Sequence, residues 1–289
     1  MGIRIIFTDM DGTFLKDDKS IPAPNERLLC KLDALGAGEE VPVRVVPCTG
    51  RMPRGIPVGL VRHRCVTHAV CSMGANIVAY ERGVPGPTDE PAWHSLCQRG
   101  MDKRVVLDLW HEVRPLDIQF DVFGNGTSYS DAARLARIGE FPIPEGMMGF
   151  VRRQRTPVPD LDDLIRDLPV IERLNVYFKT RDDMDRVNAA AEAAGFHHTF
   201  HDVCGLEITL ANVDKGTGIC WLCEELGVAR DEALAFGDAE NDLPMLRAVG
   251  TSVAMANATE EAKAAAARVC PWDNNAGGVG RMAMELLGI

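Results

Sequence analysis

The sequence has no run of about 18 or more apolar residues, so no stretch of it reads as a transmembrane helix. It also lacks a surplus of positive charge: 31 Lys and Arg against 42 Asp and Glu give a formal net charge of −11. Nucleic acid and anionic membrane surfaces both reward clustered cations, which argues against either as the main partner. An anionic small molecule stays open, because a divalent cation and a few basic side chains can reverse the field locally. The amino terminus lacks a basic segment leading into a long apolar one, and Ile3–Phe7 stops at acids. A secretory signal is therefore not expected, and a cytoplasmic location is. Aromatics make up 6%, with Trp93, Trp110, Trp221 and Trp272 too widely spread for a stacking platform. The nine cysteines, odd in number and scattered, suit reduced thiols better than a disulfide framework. There is no internal repeat and no low-complexity tract.

What is present is an alternation of short apolar runs with helical patterns. Strands are predicted at Ile3–Thr8, Val43–Pro47, Ala69–Cys71, Ala233–Phe236 and Ser252–Met255. Helices are predicted at Ala23–Gly36, Gly216–Leu226, Pro244–Val249 and Thr259–Val269. That order implies an α/β fold with a parallel sheet covered on both faces. The middle of the chain differs. Gly83–Pro91 is rich in Gly and Pro, as a linker would be. Asp117–Phe123 alternates, Gly124-Asn125-Gly126 signals a hairpin, Leu174–Lys179 reads as a strand and Arg181–Ala194 as a helix. An antiparallel α+β module inserted into the parallel domain is the expectation, with return to the first domain near Gly205–Leu210.

Four segments carry complementary chemistry. After the first strand comes Asp9-Met10-Asp11-Gly12-Thr13, which puts two carboxylates at the carboxyl edge of a sheet, where open α/β sheets bind ligands. Two acids so close repel each other unless a cation or a shared proton compensates, an arrangement that suits Mg²⁺ with phosphate chemistry. Asp9 would attack phosphorus; Asp11 would protonate the leaving oxygen and then activate water. Cys48-Thr49-Gly50-Arg51 follows the second strand: the Thr49 hydroxyl can donate to a phosphoryl oxygen, Gly50 opens the turn and Arg51 can reach an anion. At a helix start, Asp214-Lys215-Gly216 offers an ammonium to neutralise a phosphorylated aspartate. Phe236-Gly237-Asp238-Ala239-Glu240-Asn241-Asp242 supplies a metal ligand in Asp238, an acid in Asp242 that can orient Lys215 or the metal's waters, and a phosphate donor in Asn241. Any one of these is commonly turn or cap chemistry; four in this order at strand ends and helix starts are not coincidence.

Taken together these motifs resemble the haloacid dehalogenase superfamily, in particular its Cof-type sugar-phosphatase branch with a large type IIB cap. The resemblance implies a Rossmann-like core at 1–84 and 206–289, a mobile α/β cap at 85–205 that sets substrate specificity, Mg²⁺ as cofactor, and hydrolysis of phosphate monoesters through an aspartyl-phosphate. Within it, Asp9 and Asp11 match the first motif, Thr49 the second, Lys215 the third, and Asp238 with Asp242 the fourth. Asp9 would bind the metal through its side chain and Asp11 through its carbonyl. An acid at Asp11 argues against dehalogenation. The implied partner is a phosphorylated small molecule, a sugar phosphate first, with neither nucleic acid nor membrane. A phosphosugar mutase built on the same core, or a phosphometabolite-binding regulator without turnover, are the alternatives. One departure is Ser72-Met73-Gly74-Ala75 where the family often has Asn-Gly-Ala; another is Ala256 in Met255-Ala256-Asn257-Ala258, where the family has glycine.

Three further signals carry less. Cys220 and Cys223 have redox or metal spacing, but on a helix they share a face and are expected to pack on the sheet. His197 and His201 would share one face of a strand. Asp182, Asp183 and Asp185 are expected to begin a helix and complement its dipole.

Overall fold

The computed structural model of the chain describes residues 2–36, 41–85, 91–143, 145–200 and 205–289. In chain order the strands are β1 Ile5–Thr8, β2 Arg44–Pro47, β3 His68–Cys71, β4 Asn76–Pro85, β5 Pro91–Gln98, β6 Ile118–Gly124 and β7 Thr127–Asp131. They continue with β8 Arg155–Val158, β9 Arg173–Phe178, β10 Phe196–Phe200, β11 Gly205–Leu210, β12 Ala233–Gly237, β13 Thr251–Ala254 and β14 Arg268–Val269. The chain forms two compact units, Met1–Cys97 with Asp214–Ile289, and Gln98–Val213.

The first unit is built on a parallel sheet in the order β14-β13-β12-β1-β2. β1 lies inside it with Ile5, Ile6 and Phe7 fully buried, as expected of a continuous apolar run covered on both faces. Its register sets Thr8 beside Phe236 on one side and Pro47 on the other, so the residues that follow all three strands emerge at one edge. The flanking helix Ala23–Leu35 packs on the helix Gly278–Leu287, and a side chain at Gly280 would run into the Pro24 carbonyl. A smaller sheet, β3-β4-β5, joins the first through a bridge between Cys48 and Val70.

The second unit holds a six-stranded sheet, β10-β11-β9-β6-β7-β8, antiparallel except where β7 meets β8. Asn125 and Gly126 both take positive φ (51° and 74°), the backbone a two-residue hairpin between β6 and β7 requires. Alternation along β6 sends Ile118, Phe120 and Val122 into an apolar core with Val106, Leu109, Ile165 and Val187 of three helices. Gln119 and Asp121 point the other way into a buried polar layer, where Arg155 meets Asp121 and Arg173 meets Glu207, each at 2.7 Å.

Three segments differ from the sequence expectation. The helix expected over Thr259–Val269 runs only from Glu260 to Ala265, and Arg268–Val269 is a strand. The Ala-rich run favours helix, but the Ala267 amide bonds the Ser252 hydroxyl (3.0 Å) and Cys270 the Ala254 carbonyl (2.8 Å), which draws the chain onto the sheet edge. Gly205–Leu210, read as the point of return, is hydrogen-bonded on both sides by β9 and β10, and the first unit resumes at Asp214. The Gly83–Pro91 segment continues β4 to Pro85 and opens β5 at Pro91, while 86–90 lie outside the described residues.

Candidate active site

Strand pairing holds the edge together before any side chain acts. The Asp9 amide donates to the Phe236 carbonyl at 3.0 Å and the Cys48 amide to the Thr8 carbonyl at 2.8 Å. Asp9, Thr49 and Asp238 thus leave three adjacent strands within a few bonds of each other. Gly12 has φ +82° and a side chain there would collide with the Asp238 carboxylate, so glycine is required on two counts. The Thr13 hydroxyl donates to Asp238 Oδ1 at 2.5 Å, and Asn257 Nδ2 donates to the Gly12 carbonyl at 2.8 Å.

Lys215 comes from the first turn of the helix Lys215–Glu225. Asp214 caps that helix: its carboxylate accepts from the Thr217 amide at 2.7 Å, and the Thr217 hydroxyl accepts from the Asp214 amide at 3.0 Å. The helix start also sits tight against Gly74 (φ +95°), where any side chain would strike the Asp214 carbonyl. The Lys215 side chain is fully buried, and its ammonium donates to Asp9 Oδ1 and to Asp242 Oδ1, both at 2.6 Å. The other Asp242 oxygen accepts from the Asp238 and Ala239 amides at 2.8 and 3.1 Å. Asp242 therefore fixes the lysine and the turn that carries Asp238.

Three carboxylates crowd around one ammonium, which bonds two of them, Asp9 and Asp242. Carboxylate oxygens of Asp9, Asp238 and Asp242 lie within 4.8 Å of one another. Burial pushes the Asp9 carboxyl well above its ordinary value, Lys215 opposes that, and Asp242 and Asp238 add to it. Burial followed by Asp242 raises Asp238 to about 6, although the Thr13 hydroxyl pulls it back. For Lys215 burial works against the charge, but Asp242 and Asp9 outweigh it, and the ammonium is held well above the usual lysine value. The centre is thus short of positive charge and its free donors are all hard oxygens. That donor set fits Mg²⁺, with Asp9 and Asp238 as the side chains that would hold it.

Asp11 behaves differently. Burial favours its neutral form, but Arg51 grips it with two bonds (Nε–Oδ2 2.7 Å, Nη2–Oδ1 2.6 Å) and Lys19 adds a third at 2.8 Å. The cations prevail and Asp11 is lowered to about 2. The anion that Arg51 reaches is thus Asp11, with its remaining terminal nitrogen on the Gly55 carbonyl at 2.7 Å. Thr49 is buried, and its hydroxyl accepts from the Arg51 amide at 3.1 Å across Gly50. Asn241 Nδ2 meets the Met73 sulfur at 3.8 Å. Ser72 and Met73 hold φ of 49° and 58°, a left-handed conformation that asparagine adopts more readily than methionine.

Sequence reading missed Lys19 and gave no role to the Thr13 hydroxyl or to Asn257. Thr13 stood within the first motif, and a hydroxyl beside an acid pair was signal enough to find it. Lys19 reaches Asp11 through a backbone at φ 67°, which no spacing rule foresees. Of the weaker signals, Cys223 is buried on its helix, and burial lifts its thiol to about 11. His197 is exposed on β10, and His201 lies outside the described residues. Asp182 and Asp183 sit in the first turn of Arg181–Ala193, capped by Thr180.

Comparison with known proteins matches residues 6–282 to a family model described as haloacid dehalogenase-like hydrolase. YxeH of Bacillus subtilis, named a putative phosphatase, is 26% identical over 287 residues, 98% of each chain. The chloroplastic endoribonuclease YBEY of Arabidopsis thaliana is 44% identical over 279 residues; the match takes in 90% of this chain and 43% of that longer protein. Among solved structures, the subclass IIB sugar phosphatase BT4131 superposes with a TM-score of 0.74 at 18% identity, over 99% of both chains.

Proposed function

The chain belongs to the haloacid dehalogenase-like hydrolases, and from that premise we propose that it is a Mg²⁺-dependent phosphatase of small phosphate monoesters, sugar phosphates first. The observation that carries this reading is the Asp9 carboxylate at the sheet edge, held by Lys215 at 2.6 Å and crowded by Asp238 and Asp242. Bound Mg²⁺ would supply charge neutralisation for the phosphoryl oxygens and the carboxylates. Lys215 aims one Asp9 oxygen and leaves the other to attack phosphorus in line, forming an aspartyl-phosphate. The Lys215 ammonium offsets charge on the transferring group. The Thr49 hydroxyl and the Asn241 amide are the donors for phosphoryl oxygens. Asp11 gives its proton to the leaving oxygen and then takes one from the attacking water. Because Arg51 and Lys19 keep Asp11 ionised when nothing else is present, an anionic substrate that draws either cation away frees Asp11 to carry that proton. Substrate discrimination is assigned to the second unit on the resemblance to cap-bearing members of the family alone.

The test is phosphate release from p-nitrophenyl phosphate and a panel of sugar phosphates, with Mg²⁺ and with EDTA. Metal-dependent release is expected. Conversion of a hexose 1-phosphate to its 6-phosphate would make the protein a mutase, and no turnover with a folded chain would make it a binder.

A further inference from the structure

A second cluster of chemically different donors lies in the first unit, on the helix Ala23–Leu35 and just after the short helix Val58–Val61. Glu26 and Cys30 are four residues apart and Asp33 three further on, so all three share one helix face. The His63 ring is buried against that face. His63 Nδ1 lies 2.9 Å from Asp33 Oδ2, while the other Asp33 oxygen is fixed by the Cys65 amide at 2.8 Å. A carboxylate only accepts, so Nδ1 carries the hydrogen. That leaves Nε2 facing Glu26 Oε1 at 3.2 Å. On a neutral ring these are two acceptors pointed at each other, and a positive species must lie between them. A proton on Nε2 would serve. The third donor at the same point, the Cys30 sulfur, is one that a proton bridge has no use for.

We propose that Glu26, Cys30 and His63 Nε2 form a binding site for a zinc-class divalent cation, with Asp33 holding the imidazole in the liganding tautomer. The three ligand atoms lie within 4.8 Å of one another. Donors on a tetrahedral zinc stand about 3.5 Å apart, given bonds of about 2.0–2.3 Å, so modest rotation of Glu26 and Cys30 closes the set. One nitrogen, one sulfur and one oxygen suit zinc or cobalt and not magnesium, which separates this site from the all-oxygen centre at Asp9. The carboxylate–histidine pair is the outer-shell arrangement that orients metal-bound imidazoles generally. Cys30 is exposed, which gives the ion a path in and leaves a fourth position for water. Binding releases the Cys30 thiol proton to solvent, together with any proton on Nε2, and no oxidation is involved. The ion would tie the helix Ala23–Leu35 to the segment that leads into β3.

The test is titration of the metal-free full-length protein with Co²⁺ under excess Mg²⁺, which keeps the carboxylate centre filled. One equivalent is expected to bind with tetrahedral d–d bands and a thiolate-to-cobalt charge-transfer band. Cys30→Ser should abolish the charge-transfer band and leave phosphate release unchanged. Cys220→Ser should keep the band, and His63→Gln should weaken binding at least tenfold. Absence of a thiolate band in the unaltered protein, or its survival in Cys30→Ser, would overturn the site. Should His63→Gln fail to fold, Cys30→Ser decides alone, because that side chain is exposed.

Discussion

Lys215 is the residue on which the centre balances. Its ammonium is the cation shared by Asp9 and Asp242, and it is wholly buried. Removing one partner of a buried ion cluster leaves uncompensated charge, typically at a cost of about 3–5 kcal/mol. Lys215→Ala is therefore expected to lose about that much stability by urea denaturation, with part of it restored by Mg²⁺, and to lose turnover as well. Asp9→Asn is expected to abolish phosphate release while the protein still unfolds cooperatively, since burial and two neighbouring acids already disfavour the charge at Asp9. Asp9, Lys215, Asp238 and Asp242 were legible in the sequence because each follows an apolar strand or opens a helix. The Arg51–Asp11 grip was not, because forty residues separate the pair and nothing local couples them.

At the scale of elements, the helix Lys215–Glu225 has its position set at its first turn. Asp214→Ala removes the cap and is expected to cost about 1 kcal/mol, read as a lower midpoint in thermal denaturation. Gly74→Ala should do more harm: the new methyl meets the Asp214 carbonyl, so both stability and kcat are expected to fall as Lys215 is displaced. β3 carries a pH dependence of its own. Burial first, then the charges of Arg44 and His94, lower His68 from 6.5 to about 4. The unfolded chain then binds the extra proton across that window, so stability falls as pH drops from 6.5 toward 4. His68→Gln should flatten that part of the curve, measured by denaturation at several pH values. Strands β1, β2, β12 and β13 were legible as short apolar runs. β14 was not: two residues beside an alanine-rich helix offer no periodicity, and pairing with β13, helped by the Ser252 hydroxyl, calls them into the sheet.

On the scale of the whole molecule, the parallel order and the inserted antiparallel sheet followed from where apolar runs alternate with helices and where hairpin signals cluster. The exact seam between the units did not, because β11 has the same texture as the strands of either sheet and its place is decided by pairing with β9 and β10. Asp9, Asp11, Lys215 and Asp238, the groups proposed to react, all lie in the first unit. The most direct measurement is acid-quenched single turnover with a substrate labelled in its phosphoryl group. Label is expected on the chain in a hydroxylamine-labile form, mapping to Asp9 and absent from Asp9→Asn. Phosphate release with no label on the chain, or release that persists in Asp9→Asn, would contradict the account.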